Sequence, residues 1–137
     1  MKKSVICFLG ILVMGLFLII QFSFEILRGK IFLLPIAVFF LLGILLLVFI
    51  RKEKIKGKLK IFLVLTGLSS ISFLVFIFLH NFFYALGILA ENIVFLKNLM
   101  ELLHVIFFLA AIPLTPICFL IGVIGSIILL VKNRGKT

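Results

Sequence analysis

Apolar residues fall into four long blocks in this chain, and the polar residues are gathered between them. Val5–Ile20, Ile31–Ile50, Ile61–Leu79 and Val105–Val131 are apolar on every side of a helix, broken mainly by glycine, serine, threonine and proline. An amphipathic surface helix would leave one face polar, so these blocks need an apolar solvent around them. Twenty helical residues rise about 30 Å, the thickness of a bilayer's hydrocarbon. The pattern therefore predicts an all-α integral membrane protein with transmembrane helices at 4–21, 31–50, 60–80 and 104–131. Short connections between the first three predict an up-down-up-down antiparallel bundle, built as one membrane domain over residues 1–137.

The connections differ in kind. Residues 22–30 carry Glu25, Arg28, Gly29 and Lys30, a short turn in which Glu25 is expected beside Arg28. Residues 51–60 read RKEKIKGKLK, with six cations and one acid. Residues 81–103 are longer and mixed. Beyond Asn92, Lys97, Asn98, Glu101 and His104 fall on one side of a helix, and Phe95, Leu96, Leu99, Leu102 and Leu103 on the other. This predicts an amphipathic segment on the far side of the membrane from 51–60. It either lies flat in the interface or extends the fourth helix. Phe82, Phe83 and Tyr84 suit an interfacial aromatic anchor.

Charge then sets an orientation. Eleven of the fourteen cations belong to one side: Lys2, Lys3, the six of 51–60, Lys132, Arg134 and Lys136. Arg28, Lys30 and Lys97 belong to the other. Basic residues favour the cytoplasmic side, so both termini are expected in the cytoplasm and the protein in the cell membrane. The first block follows Lys2 and Lys3 as a signal peptide would, but lacks the small residues at alternate positions that cleavage needs. Arg51, Lys52, Lys54, Lys56, Lys58 and Lys60 are further expected to meet anionic lipid headgroups. The net charge of +10 does not imply nucleic acid here, because the cations flank membrane spans. Two thirds of the chain is hydrophobic (66%), with a mean hydropathy of +1.53, which excludes a soluble domain.

Candidate chemistry is sparse. Cys7 and Cys118 lie far apart in apolar runs, with no paired thiols for disulfide exchange. The third block carries Thr66, Gly67, Ser69, Ser70 and Ser72, and the fourth carries Gly122, Gly125 and Ser126. Small residues let membrane helices approach closely. Counting inward from Lys60 and Lys132 predicts Thr66 opposite Ser126 and Ser70 opposite Gly122. Pro113 and Pro116 predict a kink, with Thr115 placed to satisfy a freed backbone group.

His80, Glu101 and His104 gather on the far side. They form a weak candidate metal set, or a pair of axial haem ligands, without the tight spacing of a metal motif. No cofactor is expected. No nucleophile–base pair, phosphate loop or mid-membrane acid is present, so the chain does not read as an enzyme. Four spans at this length also describe small multidrug-type exporters, but the carboxylate expected in the first helix is missing. The leading expectation is an accessory, regulatory or self-associating membrane component whose partner is a membrane protein or a second copy. A small transporter or channel subunit stands second. A metal- or haem-binding protein using His80 and His104 stands third.

Overall fold

The computed structural model describes residues 2–24, 31 and 33–134, and it is all-helical. Glu25, Arg28, Gly29, Lys30 and Lys136 lie outside the described residues. Helix α1 is Lys3–Phe24, α2 is Leu33–Lys52, α3 is Gly57–Leu89, α4 is Val94–Leu109 and α5 is Thr115–Arg134. A π-helical turn, Ala110–Leu114, joins α4 to α5 without interrupting the helical run. Among the described residues, four helical stretches are thus long and apolar enough to cross a membrane: α1, α2, α3 and the 39 residues Val94–Lys132.

The helical stretches α1, α2, α3 and α4–α5 run antiparallel in chain order, as the contacts at glycines show. A Cβ at Gly10 would meet Leu42 and one at Gly15 would meet Phe39, which sets α1 against α2. Gly67 meets Leu47 and Gly43 meets Ser70, which sets α2 against α3. Gly125 meets Phe62 and Gly122 meets Thr66, which sets α3 against α5. Helix α3 is the hub, packed by α2 on one side and by α4, the π turn and α5 on the other.

The core sits in one half of the molecule. Phe8 and Ile11 of α1, Ile36, Leu46 and Ile50 of α2, and Leu63 of α3 are almost wholly buried. Phe119 of α5 reaches across to α1, 3.2 Å from where a Gly15 Cβ would be, with its ring edge-on to Phe39 at 5.4 Å. In contrast, α4 buries no residue fully.

The third span runs nine residues past its expected end at residue 80. The segment 81–103 is not a separate connection. It is the upper part of α3, a turn at Ala90–Ile93, and the start of α4. Its residues keep a helical period, and α4 continues into α5, so the extension of the fourth helix is the form adopted. Phe83 does not stand alone as an anchor but stacks on Phe107 of α4, centroids 5.4 Å apart and planes within 4°. The proline pair leaves its mark as the π turn, which contains Pro113. Both the N–H and the hydroxyl of Thr115 donate to the carbonyl of Ala110, the hydroxyl at 2.8 Å.

Helices α2 and α3 are joined by a tight turn in which Lys54 (φ 50°) and Gly57 (φ 72°) take left-handed backbone conformations. A glycine does so without cost, and a lone non-glycine residue is an uncommon occupant.

Candidate functional site

The antiparallel order brings the N-terminus of α1, the α2–α3 turn and the end of α5 together. This basic end holds Lys2, Lys3, Arg51, Lys52, Lys54, Lys56, Lys58, Lys60 and Lys132. All nine are exposed. The single acid among them is tied inward. The Glu53 carboxylate accepts from the Ser4 N–H at 3.1 Å and from the Ser4 hydroxyl. The first N–H groups of a helix have no partner within it and carry a positive end charge, so a carboxylate there is favourable. Burial alone pushes the Glu53 carboxyl up. Hydrogen bonds from Ser4 and Lys3 and the charge of Lys2 outweigh it, and the group lies below its ordinary value. Residue spacing does not foretell this tie between positions 49 apart. Its signal was a lone acid within a cation run.

At the opposite, distal end the α3–α4 hairpin gathers the chain's two histidines. Their rings stack, centroids 4.0 Å apart and planes 24° apart. His80 Nδ1 lies 3.1 Å from the carbonyl of His104, and His104 Nδ1 lies 3.2 Å from the carbonyl of His80. A carbonyl only accepts, so each Nδ1 carries the proton and donates. A helical carbonyl has a second lone pair for such a donor. Phe108 covers the His80 ring at 5.4 Å and Tyr84 covers the His104 ring at 5.2 Å. Among the described residues, these two are the only side-chain hydrogen bonds that join α3 to α4.

Beside the clasp lies an open cleft of about 180 Å³, lined by Tyr84, Gly87, Glu91, Lys97, Glu101 and His104 among others. Lys97 and Glu101 pair at 4.0 Å, one turn apart on α4 and well exposed, an arrangement worth little in stability. The other flank of the same hairpin is wholly apolar. Leu86, Leu89, Ala90, Ile93, Leu96 and Met100 line a groove of about 240 Å³.

His80 and His104 are therefore in contact, and Glu101 is one turn along α4 from His104. Among the described residues, no three histidine, cysteine or acidic side chains are placed to hold one metal ion. In this arrangement the two rings face each other and are not set apart as axial haem ligands. Two axial imidazoles must sit on opposite faces of a flat macrocycle. Rings stacked at 4.0 Å leave no room for one between them.

The small residues of α3 are divided between two neighbours, which corrects the predicted pairing. A Cβ at Gly122 would lie 2.6 Å from Thr66 Oγ1 and 2.8 Å from its backbone N, so Thr66 faces Gly122 instead of Ser126. Ser70 faces α2, with its Cβ 2.9 Å from where a Gly43 Cβ would be, instead of Gly122. Ser126 is fully buried and its hydroxyl has no hydrogen-bond partner. The register along α5 is one turn off because Lys132 and Lys60 are not at the same level. Gly43 was overlooked because a lone glycine in a leucine-rich run carries no signal of its own.

Comparison with protein-family models, with curated proteins and with solved structures finds no match to this chain.

Proposed function

We propose that this chain is a multi-pass protein of the cell membrane that works by association, as an accessory or self-associating component, with both termini cytoplasmic. The observation that carries the reading is the length of the α3–α4 hairpin. The C-terminal part of α1 is level with Phe73, since Phe22 meets that ring at 6.4 Å. Helix α3 runs on from Phe73 to Leu89, about 24 Å of further helix. That length, with its return along α4, is a two-helix platform with one polar flank and one apolar flank. Large residues stand exposed on it, including Leu89 at 80%, Phe95 at 79% and Val94 at 72%. An uncovered apolar patch rimmed by polar groups is what protein–protein contact sites present. The gathering of cations at the opposite end supports the orientation.

Purification of the full chain in mild detergent, with native mass spectrometry and identification of co-purifying proteins, tests the reading. A dimer or a defined partner is the expected result. A monomer with no partner and no affinity for anionic vesicles would remove it. The transporter alternative has less behind it on α3, where two of the hydroxyls expected to line a path are engaged locally. Thr66 donates to the Phe62 carbonyl at 3.0 Å and Ser70 to the Thr66 carbonyl at 2.9 Å.

A further inference from the structure

The histidine clasp joins α3 to α4 through two exchanged hydrogen bonds and one ring stack. Each ring donates Nδ1–H to the opposite helix, which leaves Nε2 as the site where a further proton enters. Two neutral imidazoles stack without penalty, and one imidazolium against one imidazole is also tolerated. Two imidazolium rings with centroids 4.0 Å apart repel each other directly. From the geometry we infer that the His80–His104 pair is a two-proton latch that holds the α3–α4 hairpin closed at neutral pH and releases it on acidification.

The surroundings set how the latch behaves. From α3, Tyr84 lies against the His104 ring, and from α4, Phe108 lies against His80. Each ring thus has one aromatic side chain against it. Glu101, on α4 with His104, and Glu91, on the turn, line the same cleft. Lys97 lines it too and pairs with Glu101. The π turn brings no charged residue to the pair.

Above the latch, the hairpin is held by side-chain packing without a further side-chain hydrogen bond between α3 and α4 among the described residues. Gly87 contacts Met100 there, and Phe83 stacks on Phe107 close by. Losing two hydrogen bonds and one stack therefore frees the tip from Leu86 to Met100, where the apolar groove lies. The latch so regulates the surface proposed above for association, but its opening does not depend on a partner being present.

The test uses the full chain in nanodiscs, with Cys7 and Cys118 replaced by serine and spin labels at Leu89→Cys and Phe95→Cys. Label separations are measured at about pH 8 and about pH 5, either side of ordinary imidazole titration. The expected result is a narrow distribution at the higher pH and one at least twice as wide at the lower. The transition should be steeper than a single-proton curve. In the double variant His80→Asn, His104→Asn, the amide keeps a donor near the Nδ1 position and does not titrate. It is expected to remain narrow at both. An unchanged distribution in the parent chain would overturn the inference, as would an undiminished transition in the double variant. Should the double variant fail to fold, nitrogen NMR of the imidazoles in the parent chain decides. Nδ1–H tautomers on both rings at neutral pH support the latch, and Nε2–H tautomers refute it.

Discussion

A single carboxylate closes the basic end. Glu53 has a lowered pKa in the folded chain, so its contribution is complete above the ordinary glutamate value of 4.5 and is lost as pH falls below that through the folded value. Glu53→Gln keeps an acceptor for Ser4 but removes the charge that faces the helix end. Amide exchange across Ser4–Cys7 is expected to quicken by ~2–5-fold at neutral pH. Parent and variant should converge in acid, and a difference that persisted there would show that charge is not the cause. Which helix this acid serves was not legible from spacing, because Ser4 and Glu53 are joined only by the return of α2. The histidines were easier to foresee. His80 ends an apolar block and His104 begins one, so any antiparallel pairing of the two blocks places them at similar height. Their stacking and exchanged hydrogen bonds depend on rotamers and register, which spacing alone does not set.

At the scale of helices, closeness is set by where backbone meets backbone. A Cβ at Gly43 would lie 2.8 Å from the Gly67 carbonyl, and neither helix can yield there without moving apart. At Gly10 the nearest atoms are Leu42 methyls at 3.6 Å, an ordinary contact. Gly43→Ala is therefore expected to destabilise the protein by about 1–3 kcal/mol. Gly10→Ala is expected to be neutral or to stabilise by up to about 1 kcal/mol through helix propensity. Equilibrium unfolding in mixed detergent micelles compares them, and equal losses at the two sites would contradict the packing. Thr115→Val removes the hydroxyl bond to Ala110 and is expected to cost about 1 kcal/mol by the same measurement. The helices were legible from their apolar blocks because twenty apolar residues have few other solutions. The tip of α3 was not, since polar residues from Asn81 onward break the apolar run while leaving the helical period intact.

For the molecule as a whole, the defining property is unequal length. Helices α1 and α2 have 22 and 20 residues, enough for the hydrocarbon, while α3 has 33. In the orientation proposed above, with the basic end at the inner surface, the residues beyond His80 are expected to stand clear of the lipid tails. Single-cysteine chains on a Cys7→Ser, Cys118→Ser background give the check. Asn92→Cys should react with an impermeant maleimide added to intact cells, and Lys56→Cys should react only after lysis. The reverse pattern would invert the orientation, and labelling at neither site before lysis would place the hairpin out of reach of the exterior. Charge counting alone suggested this sidedness. The height of the hairpin above the other helices is a tertiary property, visible once the Phe22–Phe73 contact fixes where α1 stops.

The Ser4–Glu53 contact also has a meaning in time. A ribosome delivers residue 4 well before residue 53, at about 5–20 residues per second, so for several seconds the first turn of α1 has no cap. It acquires one when α2 has been made and has turned back to the side where synthesis began. Closure of the N-terminal turn thus reports that the first helical hairpin has been laid down antiparallel, before α3 needs a surface to pack against. A nascent chain halted shortly after α2 emerges should already protect Ser4, and one halted within α2 should not.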